Sequence, residues 1–128
     1  FEAESRMSVV LKETPNCVKI RKAYISKNKG YIVMDLLKGD LMDIQKEIAF
    51  DEEKCASIFF KVCLAIKSIH ASRVVHLDIK PDNILMDCDN NPFLADFGSS
   101  AVIPLGGRFN KPVGTTEFAA PEVLSGES

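Results

Sequence analysis

The sequence predicts an α+β fold, and three observations carry that prediction. Residues 17–37 read as two apolar-rich strands around a polar turn. Residues 51–70 repeat their apolar positions at spacings of three and four, as an amphipathic helix does. Two short apolar runs, at 84–86 and 92–95, flank the polar stretch DCDNN and suggest a second hairpin.

Taken in order, residues 4–13 (ESRMSVVLKE) read as the end of a helix, which TPN at 14–16 stops. CVKIRKAYI is expected as a strand, SKNKG (26–30) as a turn and YIVMDLL (31–37) as the returning strand. KGD at 38–40 breaks the pattern, and a short helix near 41–48 should follow. Asp51 can cap the next helix, and Glu52 and Glu53 put negative charge in its first turn, where it is favoured. Cys55, Ile58, Phe59, Val62, Cys63, Ile66 and Ile69 form one broad stripe, expected to be buried, before the helix ends near His70. RVV (73–75) reads as a short strand. From Asp96 onward the chain should be loop-like, with Gly98, Gly106, Gly107 and Gly114 as punctuation.

Composition narrows the function classes. The 128 residues are 46% hydrophobic, which is globular and the size of one domain. A net charge of -2, with no basic stripe standing out, argues against a nucleic-acid partner. No run of 18 apolar residues predicts a membrane span. The opening FEAESRM lacks a signal-peptide pattern, so the default location is cytoplasmic or nuclear. It also lacks an initiator Met, which hints at a piece of a longer protein. The four cysteines form no C-x-x-C pair and are expected to be small buried hydrophobes in a reducing compartment. DCDNN lacks the Gly and Glu of a calcium loop, so a plain hairpin turn is expected there.

The stretch VVHLDIKPDNIL (74–85) is denser in polar groups than its apolar flanks explain. A hairpin returns its ends to nearly the same place, so Asn83 and Asp96 can converge. Their amide and carboxylate oxygens, with coordination positions left open, suit Mg2+, and Mg2+ suits phosphates. Lys80 could neutralise charge on a moving phosphoryl group. Asp78 could orient a hydroxyl and accept its proton. The other reading is a polar turn with side-chain caps, and any single residue taken alone favours it.

Three motifs decide between them. His76-Leu77-Asp78-Ile79-Lys80-Pro81-Asp82-Asn83 resembles the catalytic loop of the protein kinase family. Asp96-Phe97-Gly98 resembles its metal-binding tripeptide, and Gly114-Thr115 through Ala120-Pro121-Glu122 the end of its activation segment. The resemblance implies a partial protein-kinase-like α+β fold. Residues 1–36 would be a remnant of the N-lobe, 37–40 the hinge and 41–128 an incomplete C-lobe. It implies ATP and Mg2+ as cofactors and a protein substrate with a Ser or Thr acceptor.

Residue by residue, Asp78 resembles the catalytic Asp, and Lys80 the Lys that contacts the γ-phosphate in serine/threonine kinases. Asn83 and Asp96 resemble the Mg2+ ligands, and Thr115 the Thr that bonds the catalytic Asp and Lys. Met34 takes the gatekeeper position. Asp35 and Leu37 resemble the residues whose backbone bonds adenine, and Leu85 the floor beneath it. Asp40 resembles a residue that reaches the ribose or a basic substrate side chain. Ile20, His76 and Phe97 match members of the apolar stack between lobes. HLDIKP, GTTEF and APEV are most similar to the calmodulin-dependent and death-associated branch.

The chain also departs from the family pattern. Leu77 stands where an Arg usually pairs with a phosphorylated residue, and Lys111 stands at the complementary position. The parent kinase is therefore expected not to need phosphorylation there. The glycine-rich loop and the strand Lys that pairs the phosphates are not among these 128 residues, and Glu4 is the best candidate for the helix Glu. This polypeptide alone is expected to be inactive and to need the missing kinase-domain segments in cis. The competing reading is a catalytically silent kinase-like scaffold or regulator.

Overall fold

The computed structural model describes residues 11–48, 51–107 and 114–125. Glu4 and Lys111 lie outside them, as does most of the expected N-terminal helix. At its expected end Leu11 is buried, and the Thr14 N–H donates to the Leu11 carbonyl at 3.1 Å.

Strands β1 (Ile20–Ser26) and β2 (Lys29–Met34) form the expected antiparallel hairpin, with Tyr24 opposite Tyr31. The turn is tighter than the sequence suggests. Only Lys27 and Asn28 make it, with φ of 47° and 62°, the handedness that two-residue hairpins favour. The expected first strand starts too early: Cys17 and Val18 leave the hairpin to lie parallel with Leu94, and the Val18 N–H donates to the Leu94 carbonyl at 2.9 Å. The expected second strand runs too far, because β2 ends at Met34.

A three-stranded antiparallel sheet follows the order β3 (Gly39–Asp40), β5 (Ile84–Met86), β6 (Pro92–Leu94). A second pair joins β4 (Val74–Val75) to β7 (Ala101–Val102). Helix α1 (Leu41–Ile48) has Asp40 and Asp43 at its start. Asp40 Oδ1 accepts from the Asp43 N–H at 2.9 Å, and Asp43 Oδ2 accepts from the Asp40 N–H at 3.2 Å. Gly39 makes room for this, since a Cβ there would come 2.7 Å from Asp43 Oδ2.

Helix α2 (Glu52–Ala71) is capped by Asp51, whose side chain accepts from the Lys54 N–H at 3.0 Å. It packs on β4 and β6 through Ile58, Val62, Ala65 and Ile69. Of these, each Ile or Val side chain contributes about 1.5–3 kcal/mol when fully buried. The buried stripe is narrower than expected. Ile66 is half-buried, while Cys55, Phe59 and Cys63 are exposed, Phe59 by 71%. The cysteine expectation fails likewise, because Cys17 alone is buried and Cys55, Cys63 and Cys88 are exposed free thiols. Burial pushes the Cys17 thiol up to about 12, which keeps it protonated and inert. The stretch after Asp96 is more ordered than a loop, with β7 and a short helix α3 (Pro121–Ser125). Among the described residues no helix is long and apolar enough to cross a membrane.

Candidate active site

The two small sheets aim their loops at one place. Val75 pairs with Ala101 in β4–β7, so the chain leaving β4 runs beside the segment that enters β7. In the β5–β6 hairpin the Ala95 N–H donates to the Asn83 carbonyl at 2.9 Å, so Asn83 and Asp96 leave the same open end. The DCDNN turn closes the other end. Asp87 Oδ1 accepts from the Asp89 and Asn91 N–H groups at 2.9 and 2.8 Å, which is a side-chain-braced turn.

Asp78 is the hub. Its Oδ1 accepts from the Thr115 N–H at 2.8 Å and the Thr115 hydroxyl at 2.7 Å. Its Oδ2 takes the Lys80 ammonium at 3.1 Å and one Asn83 Nδ2 hydrogen at 3.1 Å. Lys80 also donates to Thr115 Oγ1 at 2.8 Å, and Asn83 Nδ2 to the Asp78 carbonyl at 2.8 Å. The Thr115 hydroxyl holds the Asp78 carboxyl below the usual range, against a smaller opposing effect of desolvation; Lys80 and the Thr115 amide add to the lowering. The carboxylate is therefore ionised at neutral pH.

His76 forms the floor. It is buried, its Nε2 lies 2.8 Å from the Ala95 carbonyl, and its Nδ1 accepts from the Asp78 N–H at 3.3 Å. That pair of contacts requires the neutral ring with its proton on Nε2. Burial pushes the His76 pKa down, and the hydrogen bond to Ala95 and the charges of Asp96 and Asp78 oppose this only in part. The ring meets Phe97 edge-on at 4.8 Å. Two of the three expected stack members thus touch, while Ile20 stands half-buried at the irregular start of β1.

Two backbone features were not legible as site features. Leu77 has φ 68° and Asp96 φ 58°, left-handed values that cost a non-glycine residue on the order of 1–2 kcal/mol. Gly114 has φ 106°, and a Cβ there would overlap the Leu77 carbonyl oxygen. Only glycine lets residue 115 approach Asp78 this closely. Its place directly before Thr115 was the available signal. Nothing in the sequence marks Leu77 as left-handed.

Of the residues read as the nucleotide side, Asp40 lies in β3 and Leu85 in β5, while Asp35 and Leu37 stand in the link between β2 and β3. Asp40 pairs with Leu85, and the Lys38 N–H donates to the Met86 carbonyl at 2.8 Å. Leu37 and Leu85 are half-buried. The Asp35 side chain turns to solvent, where Arg21 grips it with two hydrogen bonds of 2.9 and 2.8 Å. Asp40 has a second occupation that the sequence reading missed, the cap of α1.

Mg2+ can be tested against the donor set. Among the described residues no three His, Cys, Asp or Glu side chains converge. The candidates are one amide and one carboxylate. Asn83 commits its Nδ2 to Asp78, which leaves Oδ1 as its acceptor, and exposed Asp96 takes one contact, from the Gly98 N–H at 3.2 Å. Two hard oxygen donors with the remaining positions left to phosphate and water fit Mg2+.

Residues 1–128 match the family model of the protein kinase domain. The chain belongs to the protein kinase family. It is 33% identical over 128 residues to the phosphorylase b kinase gamma catalytic chain, liver/testis isoform, of Homo sapiens, covering 96% of this chain and 32% of that protein. It is 38% identical over 121 residues to calcium-dependent protein kinase 22 of Arabidopsis thaliana, covering 88% of this chain and 24% of that protein. It is 33% identical over 132 residues to death-associated protein kinase dapk-1 of Caenorhabditis elegans, across 100% of this chain and 9% of that protein. The kinase chain thus spans about a third or less of these relatives. Its small antiparallel sheets and helices are part of an α+β kinase fold.

Proposed function

We propose that the protein containing this chain transfers the γ-phosphoryl group of ATP to Ser or Thr hydroxyls of protein substrates. The observation that carries this reading is the Asp78 carboxylate, gripped by Thr115 and Lys80 beside Asn83. In this reading residues 1–36 belong to the N-lobe, 37–40 to the hinge and 41–128 to the C-lobe.

Asp78 orients the acceptor hydroxyl. The hydroxyl oxygen bonds to the γ-phosphorus, the bond to the β–γ bridging oxygen breaks, ADP departs and the hydroxyl proton passes to the Asp78 carboxylate. An anion held below the usual carboxylate range is a weak base, which suits a reaction in which positioning outweighs proton abstraction. Lys80 exchanges its contact with Thr115 for the transferring phosphoryl oxygens. Asn83 and Asp96 would hold Mg2+, which neutralises phosphate charge when bound. The backbone of Asp35 and Leu37 would meet the adenine edge and Leu85 its face. The Asp40 oxygen not engaged in capping would reach the ribose or a basic substrate residue.

The test is phosphate transfer from labelled ATP to a generic Ser/Thr substrate by the full-length protein, wild type against Asp78→Asn. A loss of about 1,000-fold, on the scale of removing a positioned catalytic group, is expected. An Asp78→Asn variant that keeps its activity would overturn the assignment. The 128-residue chain assayed beside it is expected to transfer no phosphate, because Phe59, Phe60 and Leu64 of α2 stand open to solvent and a 1 Å error in the site is costly.

A further inference from the structure

The β1–β2 hairpin carries a concentration of charge that the overall balance of the chain hides. Between residues 19 and 33 there are five cations, Lys19, Arg21, Lys22, Lys27 and Lys29, and no acid. Arg21 is committed to Asp35, and Lys19 also acts on that carboxylate. Lys22, Lys27 and Lys29 have no acidic partner among the described residues. The register sorts the side chains. Lys22, Tyr24 and Ser26 share a face with Val33, Tyr31 and Lys29, their direct cross-strand partners. That face is open, with Tyr24 and Tyr31 each 41% exposed and Val33 44%.

The centre of the face is built in advance. The two tyrosine rings stack at 5.1 Å and 12°, and the Lys22 ammonium sits 5.3 Å from the centroid of Tyr24. The stack fixes the rings, and the cation–π contact fixes Lys22, so fewer rotamers are lost on binding. The result is an apolar strip of Tyr24, Tyr31 and Val33 with a lysine at either end, Lys22 and Lys29, and Lys27 at the turn.

We propose that this face docks an acidic, extended polypeptide segment. Its carboxylates would pair with Lys22 and Lys29, and an apolar side chain between them would lie on the tyrosine pair. Charge complementarity selects the acid. Polypeptide is favoured over single-stranded nucleic acid because each ring spends one face on the other and Lys22 lies over Tyr24, so less flat ring surface is left for a base to stack on, whereas an aliphatic side chain can lie on the exposed ring edges and Val33. The face is distinct from the Asp78 site, and the proposal does not depend on phosphoryl transfer.

The experiment is fluorescence anisotropy with the full-length protein and three labelled probes. The first is a peptide with Asp or Glu on both sides of a Leu, the second its Asn/Gln counterpart, and the third a single-stranded oligonucleotide of equal charge. The acidic peptide is expected to bind at least tenfold more tightly than the other two, and more weakly as salt rises. The double variant Lys22→Ala/Lys29→Ala should remove most of that preference, and Tyr31→Ser should weaken it severalfold. Unchanged melting temperatures would show that both variants fold; if Tyr31→Ser melts early, the lysine variant alone decides. Tighter binding of the oligonucleotide, equal binding of the neutral peptide, or an acidic-peptide affinity indifferent to both variants would each overturn the proposal.

Discussion

Residues 76–83 and residues 20–34 hold their shape by different means. In the first stretch His76 and Asn83 are buried, and Asp78 is bonded to Thr115, 37 residues away. In the second, most side chains face solvent, and each strand is held chiefly by the other. The candidate site is a long-range arrangement in which several polar groups must arrive together. The hairpin is local, and its two-residue turn already determines which residues meet. A misplaced atom should therefore disable the site and leave the hairpin indifferent, and three predictions test that contrast.

The largest effect is expected from Gly114→Ala. The added Cβ overlaps the Leu77 carbonyl oxygen, which is backbone and cannot swing aside, and φ of 106° is hostile to alanine. Thr115 must back away, and Asp78 then loses the partner that most lowers its pKa. Phosphate transfer by the full-length protein should fall by about 100-fold, the scale of a 1 Å misplacement. The β1–β2 hairpin should keep its amide protection. Activity within about threefold of wild type would mean that Thr115 is not needed where it stands.

A smaller effect concerns His76. Burial lowers its folded-state pKa below the ordinary value of about 6.5. The unfolded chain therefore binds the proton more readily than the folded one. The contribution of this residue to stability is complete above pH 6.5 and declines as pH falls from there toward the folded pKa. Asp78 and Asp96 lie near enough to oppose the shift without cancelling it. An NMR titration of the ring should find the His76 midpoint below the ordinary imidazole value of about 6.5. A midpoint at or above 6.5 would show that the floor of the site is wetter than its packing implies.

How much of this was legible in the sequence follows the same divide. The helices could be read because their signals are local: Asp51 with Glu52 and Glu53 marks the start of α2, and the spacing from Ile58 to Ile69 marks its inner face. The polar residues of the site could be read as a group because three motifs stand in order, and the fold brings Asp78, Lys80, Asn83 and Thr115 into contact. What could not be read was which apolar residues find cover. Phe59 and Cys63 obey the helical period as well as Val62 does, but burial needs a partner, and period alone does not supply one. The departure of Cys17 and Val18 from the hairpin was hidden for a related reason. Their partner, Leu94, lies more than 70 residues away, and no local propensity reports a pairing at that distance. Net charge concealed the basic hairpin because the compensating acids lie elsewhere in the chain.

The smallest effect is expected at the hairpin turn. Lys27 and Asn28 both sit at positive φ, where Asn followed by Gly is the preferred pair. The double substitution Lys27→Asn/Asn28→Gly installs that pair and relieves the left-handed strain. Part of that gain is offset by the extra freedom of glycine in the unfolded chain. The net gain should be about 0.5 kcal/mol, local to the hairpin. Hydrogen exchange of the β1 and β2 amides should slow by about twofold, a change RT ln 2 of that order would produce. Phosphate transfer should stay as it was, because neither residue touches the network around Asp78. A severalfold change in transfer would show that turn and site are coupled. The route would then run through the parallel contact of Cys17 and Val18 with Leu94, the link between the hairpin's entry and the strand that leads to Asp96.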